Sequence, residues 1–142
     1  MKRYVIDASV SVKWYIPEPL SQNAVKYLEL LQKEHVELLA PELIIAEMGN
    51  VVWKKLQRGE LSLEEARLIV DTITDSFPVK LSESRGLLPA GLEVAATCGL
   101  TVYDSLYVAL AAVKGATLVT ADKKLAQAAA GALYTGQLEL LG

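Results

Sequence analysis

The sequence predicts an α/β protein, a three-layer α/β/α sandwich around a central, mostly parallel sheet of about five strands. Short apolar runs of strand length, at residues 4–6, 36–40 and 117–120, alternate with longer segments of helical spacing. The turns between them are short, which in a strand–helix–strand series implies right-handed crossovers and parallel strands. Residues 106–113 are apolar all round, as expected of a helix buried on more than one side.

Tyr4-Val5-Ile6 is a run of β-formers ending at Asp7 and suits a strand buried on both faces. Ser9 or Asp7 can cap a short helix over 10–15, and Pro17 and Pro19 then break the chain. Ser21 starts a second helix in which Ala24, Val25, Leu28 and Leu31 follow helical spacing. Residues 36–40 read as the next strand, stopped by Pro41, and 43 to about 58 as a helix for which Arg58-Gly59 supplies the C-terminal stop. Ser62 with Glu65 forms a capping box for a helix through Ile69, Val70 and Ile73, followed by a strand over 77–81. A loop from Ser82 leads to a helix from about Pro89, ended by Gly99. The central helix covers 103–113 and is closed by Gly115; 117–120 is a strand, 123–130 a helix, and 134–141 holds a final edge strand. No repeat or linker interrupts the chain, so residues 1–142 form one domain.

Composition narrows the function classes. A chain of 142 residues can bury a core without disulfides or a structural metal, and 52% apolar residues exclude a disordered one. No apolar run approaches the roughly 18 residues of a membrane span. The apolar stretch after Met1-Lys2-Arg3 ends at Asp7, too early for a signal peptide. Cys98 has no cysteine to pair with and reads as a small buried hydrophobe in a reducing compartment. A soluble cytoplasmic protein without membrane association is expected. The net charge of −3 lacks the basic footprint of a nucleic-acid binder, although two bound divalent cations would bring the formal total to +1.

In parallel α/β sheets the ligand site lies beyond the carboxyl ends of the strands, near the point where strand order reverses. Four acids map to that edge: Asp7 ends the first strand, Glu47 sits in the helix after the second, Asp104 opens the central helix, and Asp122 follows the strand ending at Thr120. Each has an ordinary reading. Asp7 and Asp122 can cap helices, and Asp104 can complete a capping box begun at Thr101. Glu47 is the least easily dismissed, because it shares a helical stripe with Leu43, Ile44 and Val51. Together the four are the hard oxygen donors that Mg²⁺ or Mn²⁺ takes, and clustered carboxylates repel unless a cation lies between them. Phosphodiester hydrolysis is the natural reaction for such a site. The sequence has no Walker-type Gly-Lys-Ser/Thr loop, no G-x-G-x-x-G and no G-x-S-x-G. His35, the lone histidine, lies in a polar turn and excludes a zinc His-Glu-His arrangement.

Val5-Ile6-Asp7-Ala8-Ser9-Val10 with Val12-Lys13-Trp14, Pro41-Glu42-Leu43 with Glu47 and Asn50, Tyr103-Asp104-Ser105-Leu106-Tyr107, and Thr120-Ala121-Asp122-Lys123 follow one another along the chain. In this order they resemble PIN-domain proteins of the VapC-like toxin group. The resemblance spans nearly the whole chain and implies a Mg²⁺- or Mn²⁺-dependent endoribonuclease. Asp7, Glu47, Asp104 and Asp122 would hold the metal, supported through hydrogen bonds by Ser9, Asn50 and Thr120. It further implies a homodimer and, for a true toxin, a small antitoxin that plugs the site. Lys13, Lys54, Lys55, Arg58, Lys123 and Lys124 are candidate phosphate contacts for an RNA substrate. Trp14 and Tyr15 could stack on bases, line a dimer seam or simply pack.

Three rivals remain open to comparison. A receiver-like phospho-acceptor domain wants adjacent acids after the first strand, where Ala8 follows Asp7, and a lysine after the last strand, which 134–141 lacks. A haloacid-type phosphatase wants a second Asp where Ser9 stands. The third is a non-catalytic module that kept the fold and the capping acids and binds RNA or protein without cutting.

Overall fold

The computed structural model describes residues 1–133 and 135–142. The chain runs β1 (Lys2–Ile6), α1 (Ala8–Ser11), a 3-10 turn (Val12–Trp14), α2 (Ser21–Gln32), β2 (Val36–Pro41), α3 (Leu43–Gln57), α4 (Leu63–Ser76) and β3 (Lys80–Ser82). It continues through α5 (Ser84–Cys98), α6 (Val102–Lys114), β4 (Thr117–Thr120), α7 (Lys123–Ala129), a second 3-10 turn (Thr135–Gln137) and β5 (Leu138–Leu140). Among the described residues the sheet has five strands in the order β3-β2-β1-β4-β5, every pairing parallel. Right-handed crossovers then put α1 to α4 on one face and α5 to α7 on the other, the expected three layers.

The apolar runs seen in the sequence are the sheet's interior. Val5, Ile6, Ala40, Leu118 and Val119 are fully buried, and Ile44, Met48, Val108 and Leu110 cover the two faces. Helix α6 is buried continuously from Ser105 to Ala111, as its all-apolar sequence requires, although its last turn surfaces at Val113. It can lie so close to α5 because Gly91 has no side chain there: a Cβ would come within 2.8 Å of Leu106 Cδ2. Gly99 and Gly115 end α5 and α6 in the left-handed conformation that glycine adopts without steric cost. The Ser62–Glu65 capping box forms in both directions at the start of α4.

The chain leaves β1 toward β2 on one side and returns to β4 on the other, so the order reverses between β1 and β4. Asp7 and the segment after Thr120 both emerge there, at the carboxyl edge.

Four expectations are corrected. Helix α5 starts at Ser84, not near Pro89, which lies inside it. Proline favours a first helical turn and lacks an N–H, so the Arg85 carbonyl loses its helical partner, yet burial of Leu87 against the core holds the preceding turn in place. The third strand is Lys80–Ser82 rather than 77–81, because Phe77 turns away to pack on Trp14 and Tyr15. The helix expected over 10–15 is instead one α-turn from Ala8 followed by a 3-10 turn, and neither Asp7 nor Ser9 caps it with its side chain. Cys98 is only half-buried. The last strand is the short segment Leu138–Leu140 within the expected range, of which Tyr134 lies outside the described residues. Among the described residues no single helix is long and apolar enough to cross a membrane.

Candidate active site

Asp7 sits at the end of β1 with 5% of its surface exposed. Its two oxygens are held by separate hydroxyls: Ser9 Oγ donates to Oδ1 and Thr120 Oγ1 donates to Oδ2, each at 2.5 Å. Those hydroxyls are themselves fixed by the turn after β4. Ser9 Oγ accepts from the Ala121 amide at 2.9 Å and Thr120 Oγ1 from the Asp122 amide at 3.0 Å. A hydroxyl that accepts from backbone must donate elsewhere, so both protons point at Asp7 and its orientation is set at once from α1 and from the end of β4. No lysine, arginine or histidine pairs with it among the described residues. Burial pushes its pKa up to about 6, against the hydrogen bonds of Ser9, Thr120 and the Val10 amide, and the charge of Asp122 adds to the rise.

The other acids come from helices. Glu47, one turn into α3, accepts a 2.5 Å bond at Oε1 from the hydroxyl of Tyr107, which is buried in α6. Partial burial raises the Glu47 pKa; the Tyr107 bond lowers it and the charge of Asp104 raises it. Asp104 lies in the first turn of α6, where Thr101 Oγ1 accepts from its backbone amide at 3.1 Å, so the capping half of the sequence reading is correct. Burial and then Asp122 push its pKa up, and a bond with Thr101 opposes them. Asp122 Oδ1 caps α7 through the amides of Lys124 and Leu125, at 2.9 and 3.2 Å. The charges therefore couple in series, Asp7 to Asp122, Asp122 to Asp104, Asp104 to Glu47.

All four predicted acids thus share one edge, where the charge of Asp122 acts on Asp7 and Asp104 and that of Asp104 on Glu47. They do not close on a single point: among the described residues no three Asp, Glu, His or Cys side chains form a ready metal cage. A cleft of about 440 Å³ opens over Glu47 and Asp104, walled by Leu43, Ala46, Asn50, Thr101 and Tyr103. Asn50 lines that cleft but, among the described residues, bonds to none of the acids, unlike Ser9 and Thr120. Tyr107 is the site residue that sequence reasoning missed; its spacing from Asp104, three residues on within α6, was the available signal.

The six candidate cations separate into two groups. Lys13 and Lys55 both reach Glu18 at 3.7 Å, and Lys55 also reaches Glu60 at 3.9 Å, which ties the Pro17-Glu18-Pro19 loop to α3. Lys54, Arg58, Lys123 and Lys124 are exposed. Trp14 and Tyr15 pack on Phe77, and Trp14 Nε1 donates to the Ala24 carbonyl at 2.9 Å, so packing is what they do here.

Comparison with known proteins places the chain in a family. The profile of the PIN domain matches residues 4–131. Ribonuclease VapC3 of Pyrobaculum aerophilum is 33% identical over 126 residues, which cover 88% of this chain and 93% of that protein. The crystal structure of PAE2754, also from Pyrobaculum aerophilum, superposes with a TM-score of 0.67 at 27% identity over 96% of this chain and 83% of its own. VapBC2 from Rickettsia felis, solved bound to a DNA fragment from its promoter, shares the fold with a TM-score of 0.64 at 18% identity, over 99% of each chain. The architecture, the order of the acidic motifs and these likenesses agree: the chain belongs to the PIN-domain family.

Proposed function

We propose that this protein is a Mg²⁺- or Mn²⁺-dependent endoribonuclease, the toxin of a toxin–antitoxin pair, acting in the cytoplasm. The observation that carries the reading is Asp7, a buried carboxylate with both oxygens oriented and, among the described residues, no cationic side chain to neutralise it. Buried charges in proteins are paired or bind metals. The donor set fits a hard divalent cation, since all four candidate ligands are carboxylates whose mutual repulsion a cation would relieve. Asp7, Asp104, Asp122 and Glu47 would hold it. Bound there, the ion would polarise a phosphoryl oxygen and stabilise the leaving oxygen of a phosphodiester.

The chain's own residues supply the rest. Ser9 and Thr120 fix Asp7 so that it needs no reorganisation during turnover. Tyr107 occupies Oε1 of Glu47 and leaves Oε2 for the ion. Lys54, Arg58, Lys123 and Lys124 would contact RNA phosphates. A second copy of the chain and an antitoxin that occupies the acidic cleft are the protein partners this reading implies.

The test is cleavage of a panel that includes circular RNA, by purified protein with Mn²⁺, with EDTA, and with Asp104→Asn in parallel. Metal-dependent opening of the circle, lost in the variant, is expected. Mn²⁺ that raises the melting temperature without any cutting would favour a binding module instead.

A further inference from the structure

Beside the acidic cleft lies a second and larger cavity, of about 680 Å³, lined by Glu42, Leu43, Ile45, Ala46, Leu81, Glu83, Ser84 and Arg85. Leu43 and Ala46 belong to both walls, so the two cavities adjoin over the start of α3, with Glu47 and Asp104 on one side and the head of α5 on the other. Its floor is braced: the Glu42 amide donates to the Ser82 carbonyl at 2.8 Å, which clips the turn after β2 to the turn after β3. The volume is that of a site for a small organic ligand, about 300 to 1,000 Å³, and far exceeds what one phosphate needs. Its chemistry is divided. Leu43, Ile45 and Leu81 offer an apolar surface, Glu42 and Glu83 offer exposed carboxylates, and Arg85 is exposed with no ion-pair partner among the described residues.

We infer that this cavity is a nucleotide subsite of the RNA strand that crosses the acidic cleft, with Arg85 on a backbone phosphate and Glu42 or Glu83 selecting a base that carries an exocyclic amino group. The inference rests on the ribonuclease reading and adds to it a specificity element away from the acids. A nucleotide is divided as the cavity is: an anionic phosphate, an apolar base face and a polar base edge. Unstacked bases of single strands are read by packing on side chains and by hydrogen bonds to their edges, and the arginine guanidinium matches phosphate oxygens in two-pronged fashion. Carboxylates accept from the amino groups of cytosine and adenine. Uracil instead presents one N–H flanked by two carbonyl oxygens, which a carboxylate repels. A site with two carboxylates and one cation is unsuited to a bare anion and suited to an amino-bearing nucleotide.

The test measures binding of fluorescein-labelled A-, C- and U-tracts of about 12 nucleotides to the wild-type protein in EDTA, at several salt concentrations. The A- and C-tracts should bind roughly fivefold or more tightly than the U-tract, within the range of one good base contact. Arg85→Ala should weaken all three by a similar factor and lower the salt slope by about one, the mark of a lost phosphate contact. The double change Glu42→Gln, Glu83→Gln should remove the preference against U and keep the dependence on Arg85, since an amide both donates and accepts. All these positions are exposed apart from their shared cavity, so the variants should melt as the wild type does. Equal binding of the three tracts, or an Arg85→Ala protein with unchanged affinity and salt slope, overturns the inference. Mn²⁺-dependent cutting by wild type and Arg85→Ala with the same KM would leave the ribonuclease standing and remove only the subsite. No cutting by wild type on any RNA would remove both.

Discussion

Asp7 and Glu47 are both acids held by hydroxyl donors at 2.5 Å, yet the protein builds them in opposite ways. Asp7 belongs to the sheet. It is nearly buried, gripped from α1 and β4, and its donors are locked by backbone amides. Glu47 stands on α3, half-buried beside an open cleft, with one donor from α6 across the interface. The strand-end acid is fixed in place and its charge is poorly solvated; the helix-borne acid is wetter and has a single side-chain donor. The difference teaches which member of the site depends most on a neutralising partner, and the following experiments are arranged to break that contrast.

Asp7→Asn should have the largest effect, a loss of cleavage beyond the 10- to 100-fold typical of changes to supporting residues. It should also stabilise the metal-free protein. A carboxyl with pKa near 6 when folded and 3.8 when unfolded binds its proton more readily in the folded state, so its contribution to stability falls as pH rises from about 4 to 6. Full ionisation costs up to about 3 kcal/mol. Asparagine removes that cost but sets its amide against one hydroxyl, giving back about 1 kcal/mol. At pH 7.5 in EDTA the variant should melt several degrees above the wild type, the gap closing as pH approaches 4. Mn²⁺ should stabilise the wild type and not the variant. Differential scanning fluorimetry over that pH range decides it, and an Asp7→Asn protein less stable at neutral pH would contradict the assigned burial cost.

Tyr107→Phe probes the other half. Removing the hydroxyl takes away the donor that lowers the Glu47 pKa and leaves Oε1 unpartnered. A fall in rate of about tenfold is expected, with the acid limb of the pH–rate profile moved to higher pH and a stability loss of about 1 kcal/mol. A rate loss without movement of the acid limb would mean that Glu47 is not the group titrating in turnover.

The contrast also marks what the sequence could tell. Asp7, Asp104 and Asp122 were legible because each follows a strand or opens a helix whose pattern is plain, and the strand-order rule then places them on one edge. The same local logic failed at Pro89 and Phe77, where packing between distant segments overrode the local signal. Tyr107 escaped notice because its role depends on a contact 60 residues away in sequence, between α3 and α6. The arginine-lined cavity was invisible for the same reason, since it unites a turn after β2 with one after β3. Ser9 as a support for Asp7 follows from the motif resemblance, and the fold adds that its own orientation comes from the Ala121 amide.

The lysines offer the smallest and most discriminating comparison. Lys13 and Lys55 share Glu18 and are largely covered, with 12% and 19% of their side chains exposed, whereas Lys54 and Arg58 stand free in solvent on the Glu47 side of α3. A cation already paired gains less from a phosphate, because the new contact must replace an old one. Lys54→Ala and Arg58→Ala should therefore raise KM for RNA a few-fold each and lower the salt slope by about one, with kcat and melting temperature nearly unchanged. Lys13→Ala and Lys55→Ala should leave the salt slope intact and lower the melting temperature slightly, by freeing the loop at Glu18. If the covered lysines instead governed the salt dependence, RNA would have to open the Glu18 cluster on binding, and the Pro17-Glu18-Pro19 loop would join the substrate path.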